Sequence, residues 1–340
     1  MGVVSLRDMP YNRRFDFLWK LVELRKPFIL YGPAGSGKSY IGLKIIEKIV
    51  SNYFGLGNTS IFKLQDLDDE LIGKLFRGEA EIRGLYIAGS SNVTKFDVLG
   101  GRTLSSGSYV RRPGLLSYFR SNGGIVFFDE ISSMPPNFTI LLNEIIDSII
   151  RGDCHEDFFI FFAGNPSSYA GVEEIPTSTL ERLILVYYDY YPIEDEIRIL
   201  TDMLRRKLNM DDKSLSIYAR FIVHLVRRLR SILASAGYRD IPLSVRSMEN
   251  LAVSIIVLAG SSDGFEKDPR RLENLYVLLH GDLPKSKADI DKDKDISALL
   301  DLFGDLGIGP KTIRSAILML GPFAEYISDK NFANMVTSIV

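Results

Sequence analysis

The segment GPAGSGKS, Gly32 to Ser39, fits the pattern G-x-x-x-x-G-K-[ST] at every position. Gly32, Gly35 and Gly37, with Pro33, Ala34 and Ser36 between them, let the main chain wrap tightly so that its N–H groups converge on an anion. Lys38 then reaches the outer phosphates of a nucleotide, the Ser39 hydroxyl supplies a ligand for Mg2+, and Tyr40 closes the stretch assigned to the nucleotide. A second cluster follows in GGIVFFDEIS, where an apolar run ends in Asp129 and Glu130. A carboxylate there suits Asp129 to hold Mg2+ through water, and its neighbour is suited to orient or deprotonate an attacking water. The third candidate is Asn165, fixed between the apolar run FFIFFAG and Pro166. By itself an asparagine before proline is a turn residue. If its strand lies between those of FILY and IVFF, its amide can donate to a γ-phosphate and accept from the water. Together these groups imply a nucleoside triphosphate site with the parts of a hydrolase.

Such groups work only if short buried strands carry them to one edge. Phe158 to Phe162 is continuous rather than alternating, which predicts a strand buried on both faces, as in a parallel sheet. FILY, LYIAGS, IVFFDE and LILVYYDYY read likewise, making five strands. Between them lie helical patterns: Phe15 to Leu24, Ser39 to Val50, a short one around DLDDELIGKLFRG, LLSYFRS, and NFTILLNEIIDSIIRG. Strands alternating with helices predict an α/β fold with helices on both faces of the sheet. The glycines and serines of FDVLGGRTLSSGSYVRRPG predict a loop or hairpin before LLSYFRS. After Pro192 only helical spacing remains, in Ile193 to Leu208, Ser214 to Ala236, and Ser244 to Gly260. GDLPKSKADIDKDKDI reads as a solvated linker before further short helices.

The 340 residues predict more than one unit, and a net charge of −2 excludes a global basic field for nucleic acid. One cysteine, Cys154, excludes intrachain disulfides and suits a reducing, cytoplasmic setting. No signal pattern is expected at the N-terminus, and no apolar run is long enough for membrane insertion. With His155, His224 and His280 scattered, no zinc site is expected.

The order of these motifs resembles the AAA+ ATPases, specifically the MoxR-like branch with its helix-2 insert. The phosphate loop, an inserted hairpin, Asp129–Glu130 and then Asn165–Pro166 match in sequence, the Asn-Pro pair at the sensor 1 position. PTSTLERLILVYYDYYPIEDEIRIL is similar to that family's next stretch, with Arg182 at its arginine position. IPLSVRSMENLAVSIIVLA is similar to its lid helix, with Arg246 at sensor 2. The resemblance covers about residues 15–260. It implies an AAA+ nucleotide-binding domain over 1–191 with the insert at about 97–114, and a helical lid over 192–262. A helical C-terminal extension over 263–340, with the charged linker at about 281–296, has no counterpart in it. It further implies ATP and Mg2+, a homo-oligomeric ring, usually a hexamer, with Arg182 acting across the subunit interface, and a remodelling or chaperone ATPase acting on a protein client. Arg182 as a surface ion pair, and Arg151 as a rival finger, stay open on the residues alone. So do two other functions on the same scaffold, a DNA-associated motor or restriction-type NTPase and a slow nucleotide-dependent assembly factor. Tyr109, Arg111 and Arg112 of the insert would touch polypeptide or nucleic acid, or pack on their own domain; the basic run Arg227, Arg228 and Arg230 reads as a solvated helix face. Two departures stand out: Glu181-Arg182-Leu183 replaces Asp-Arg-Phe, and residues 51–83 are long.

Overall fold

The computed structural model describes residues 3–54, 61–90, 95–105, 108–134, 136–165, 175–238, 241–260, 269–280, 283–326 and 328–338. They form two compact units, Met1–Tyr190 and Tyr191–Val340.

The first unit runs β1 (Val3–Ser5), α1 (Tyr11–Glu23), β2 (Phe28–Tyr31), α2 (Lys38–Phe54), β3 (Ile61–Lys63), α3 (Asp69–Arg77), β4 (Gly84–Ala88), α4 (Lys95–Leu99), β5 (Gly100–Ser105), β6 (Ser108–Pro113), α5 (Leu115–Asn122), β7 (Gly124–Asp129), α6 (Pro136–Arg151), β8 (Phe158–Gly164), α7 (Thr177–Leu180) and β9 (Ile184–Tyr187). Its main sheet is seven-stranded, in the order β1-β9-β2-β8-β7-β4-β3, with every pairing parallel. The expected five strands are its centre. The two added strands, β1 and β3, are three residues each at the edges, too short to carry a periodic signal.

Every residue of β7 and β8 is buried, which is why both read as unbroken apolar runs. β8 pairs with β2 on one side and β7 on the other, so the strand ending at Asn165 does lie between the FILY and IVFF strands. β2 in turn pairs with β8 and β9, and the chain's order along the sheet reverses at β2. In an open parallel sheet the crevice outside the strands' carboxyl ends at such a reversal is where ligands bind. The expected insert is an antiparallel hairpin of β5 and β6.

The second unit is helical: α8 (Ile193–Arg205), α9 (Asp212–Ser235), α10 (Val245–Val257), α11 (Pro269–His280), α12 (Lys287–Asp291), α13 (Lys294–Leu306), α14 (Pro310–Leu318) and α15 (Lys330–Thr337). One apolar cluster, from Leu200 to Val336, runs through it, and the sequence boundary at 262/263 falls inside this unit. Within the charged stretch expected as a linker at about 281–296, residues 283–296 are not a plain linker. Ile290 and Ile296 are buried in that cluster, and they fold 287–291 and the start of α13 onto it despite the surrounding charges. The basic run on α9 also differs from expectation. Arg227 and Arg230 both donate to the fully buried Glu196 of α8, at 2.6 and 2.8 Å, and so tie two helices together, while Arg228 between them is exposed as expected. No helix among the described residues is long and apolar enough to cross a membrane.

Candidate functional site

The loop 32–37 turns out of the carboxyl end of β2 and delivers Lys38 as the first residue of α2. Gly35 and Gly37 adopt φ of 70° and 99°, which a side chain would resist. Gly32 is tight for another reason: a Cβ there would stand 2.2 Å from the carbonyl oxygen of Tyr188. Lys38 is only 6% exposed, and its ammonium donates to the carbonyls of Gly32 at 2.8 Å and Pro33 at 2.7 Å. Burial lowers its pKa to about 8, against the raising effect of Asp129 and Glu130. The Ser36 hydroxyl is buried without a hydrogen-bond partner among the described residues. A buried cation, an orphaned hydroxyl and the start of a long helix together fit an incoming polyphosphate. Ser39 and Tyr40 are exposed at the same helix start.

Asp129 ends β7 and is 4% exposed. One carboxylate oxygen accepts from the Glu130 N–H at 3.0 Å and the other from the Tyr86 hydroxyl at 2.9 Å. Glu130 leaves the strand in a left-handed conformation, φ 51° and ψ 40°, and is exposed. Its carboxyl pKa is raised, first by desolvation and then by Asp129, with Lys38 opposing. That direction suits a group that must accept a proton. Asn165 stands one residue past β8, and its amide has no hydrogen-bond partner among the described residues. Lys38, Asp129, Glu130 and Asn165 thus sit at the carboxyl ends of β2, β7 and β8, three neighbouring strands.

The arginines are more dispersed. Arg182 follows α7, and its Nε donates to Asp147 of α6 at 2.9 Å while another nitrogen bonds the Ser178 carbonyl. Arg151 ends α6 and pairs with Asp153 at 2.7 Å. Arg246 lies on α10 of the second unit, exposed and without an ion pair among the described residues. Tyr109 on the hairpin is 77% exposed. Pro166 and the side chains of Arg111 and Arg112 lie outside the described residues.

Three supports have no signature in the sequence. Tyr86 caps Asp129 from β4. Ser132 bonds the main chain of Asn165. Arg14, fully buried on α1, donates to the carbonyls of Asp189 at 2.6 Å and Tyr190 at 2.8 Å, and the Tyr190 hydroxyl donates to the Ala34 carbonyl at 3.3 Å. That chain braces the phosphate loop from behind. A buried arginine in an amphipathic helix reads as a surface charge until its partners, some 175 residues away, are known.

No family model matches the chain. The gas vesicle ATPase GvpN1 of Halobacterium salinarum is 25% identical over 231 residues, 64% of this chain and 60% of its own. The gas vesicle ATPase GvpN of Haloferax mediterranei is 26% identical over 220 residues, 62% and 58% of the two chains. The chain therefore spans about three fifths of the length of these curated relatives. Among solved structures, domain III of the Thermotoga maritima replication initiation protein DnaA aligns over 88% of this chain and 93% of its own. At 12% identity and a TM-score of 0.39, that superposition is too loose to carry an argument.

Proposed function

We propose that this chain is an ATP-hydrolysing AAA+ ATPase of the MoxR-like kind, acting as a ring oligomer that remodels a protein partner. The observation that carries the reading is the convergence of a buried lysine, two carboxylates and a free amide at the ends of three adjacent parallel strands. The loop amides and Lys38 bind the β- and γ-phosphates, whose negative charge opposes the lowering of the lysine pKa by burial. Ser39 and Asp129 would hold Mg2+, which when bound neutralises charge on the phosphates. Glu130 takes a proton from the attacking water. The Asn165 amide donates to the γ-phosphate and accepts from that water, fixing the line of attack. Arg182 serves the neighbouring subunit's site and Arg246 its own, the former exchanging Asp147 for phosphate on assembly.

Two relatives named as gas vesicle ATPases support hydrolysis, and their names point to a vesicle and not to DNA as the setting in which it is used. Replacing Glu130 by Gln keeps the shape of the side chain and removes the base. Turnover should fall by about 10²–10⁴ while ATP still binds, and affinity capture of that variant with ATP should recover a protein client. Wild-type protein that binds ATP without hydrolysing it would remove the reading. ATPase stimulated by DNA, with binding that weakens steeply in salt, would replace the protein client by a nucleic acid.

A further inference from the structure

Ser132 lies two residues beyond Glu130, in the short 3-10 turn Ile131–Ser133, and the mechanism above gives it no task. Its residue is 3% exposed. The hydroxyl accepts from the N–H of Asn165 at 3.1 Å and donates to the carbonyl of the same residue at 3.2 Å. One side-chain oxygen therefore satisfies both main-chain groups of a residue 33 positions away. Those groups need it, because the sheet ladder ends at Gly164 and Pro166 brings no N–H of its own. The approach is possible only because residue 164 is glycine: a Cβ there would lie 2.7 Å from the Ser132 oxygen. From its other end the same turn holds Glu130, whose carbonyl accepts from the Ser133 N–H at 2.8 Å and whose left-handed backbone must be kept in place by its surroundings.

We propose that Ser132 is a positioning residue, a hydroxyl strut that sets the Asn165 amide in register with Glu130 around the γ-phosphate. The inference rests on the ATPase reading. It reaches further by assigning the alignment of base and sensor to one buried side chain that touches no substrate. A serine that merely packs the turn would stabilise the fold without regard to the asparagine side chain. A strut acts through that side chain, so its effect must vanish once the amide is gone.

The test is a double-mutant cycle of Ser132→Ala and Asn165→Ala, read by steady-state ATPase and by fluorescent-nucleotide affinity. Alanine at 165 keeps the main-chain groups and removes only the amide. Loss of the strut should lower kcat by roughly tenfold or more, since misplacement on the order of 1 Å can cost 10²-fold. Nucleotide affinity should stay within about twofold, because the phosphate loop is untouched, and Ser132→Thr should recover most of kcat. In the Asn165→Ala background the same serine replacement should change kcat little. Equal fold-losses in both backgrounds, or a lowered melting temperature with kcat unchanged, would overturn the strut while leaving the ATPase reading intact. If Ser132→Ala does not fold, Gly164→Ala reaches the contact from the other side. It must then reproduce the kcat loss at unchanged affinity, and failure to do so rejects the proposal. Absence of turnover in the wild type is a different result, which removes the ATPase reading and the strut with it.

Discussion

Lys38 shows how far one residue's surroundings prepare it for an anion. The residue is almost wholly buried, its ammonium donates to two neutral carbonyls, and its pKa is lowered to about 8 by that burial. A phosphate supplies the counter-charge that carbonyl dipoles only partly replace. The loop around it depends on Gly32, whose Cα hydrogen faces the Tyr188 carbonyl with no room for a methyl group. Gly32→Ala should push the loop off the strand beside it, lowering stability by about 1–3 kcal/mol, the usual cost of overpacking. Nucleotide binding should weaken with it. Titration with a fluorescent nucleotide alongside thermal melting checks both, and wild-type values in each would contradict the close approach.

The strands that present these residues are held by paired aromatics. Phe127 stands opposite Phe161 and Phe128 opposite Phe162 in the β7–β8 register, so adjacent pairs project to opposite faces of the sheet. The first pair stacks with ring centroids 4.5 Å apart and the second 5.4 Å apart, while Phe28 of β2 lies 5.1 Å from Phe161. Phe161 therefore links the strand that leads into the phosphate loop to the strand that carries Asp129. Truncating it to Ala should cost about 3–5 kcal/mol, measurable by urea unfolding. A loss below about 1 kcal/mol would mean that neighbouring rings collapse into the space. Packing of this kind stiffens the three strand ends relative to one another, as a site built from three separate segments requires.

At the scale of the whole molecule, each unit has its own means of cohesion. The helical unit combines a continuous apolar cluster with the buried Glu196 that receives two arginines. It also holds a half-buried titratable group: the pKa of His224 on α9 is lowered to about 4, first by desolvation and then by Arg227, Arg220 and His280, with Glu194 opposing. A histidine whose folded pKa lies below its unfolded value of about 6.5 binds protons more readily in the unfolded chain. Its neutral form costs nothing above pH 6.5, and stability is lost as pH falls from there towards 4. His224→Asn should flatten that part of the stability profile. Urea midpoints at pH 7 and pH 5, compared between wild type and variant, provide the check, and parallel shifts in both proteins would exclude His224 as a source.

What the sequence determined by itself was everything carried by covalent adjacency. The phosphate loop, the Asp129–Glu130 pair and Asn165–Pro166 are contiguous motifs, and unbroken apolar runs such as FFIFFAG mark strands covered on both faces whatever they pack against. The five central strands and the helices between them were legible for that reason. The order of strands that sets Asn165 between β2 and β7 is not written in the chain, because pairing partners are chosen through space. Tyr86 on Asp129, Ser132 on Asn165 and Arg14 behind the phosphate loop left no trace, since a hydroxyl or guanidinium acquires its task only from a partner dozens of residues away. The same holds for Arg227 and Arg230, which look solvated in a basic run until the buried Glu196 of another helix meets them. Local chemistry was written in the chain, whereas the alignment of that chemistry was decided by tertiary contacts, because only folding fixes the distances on which hydrogen bonds and ion pairs depend.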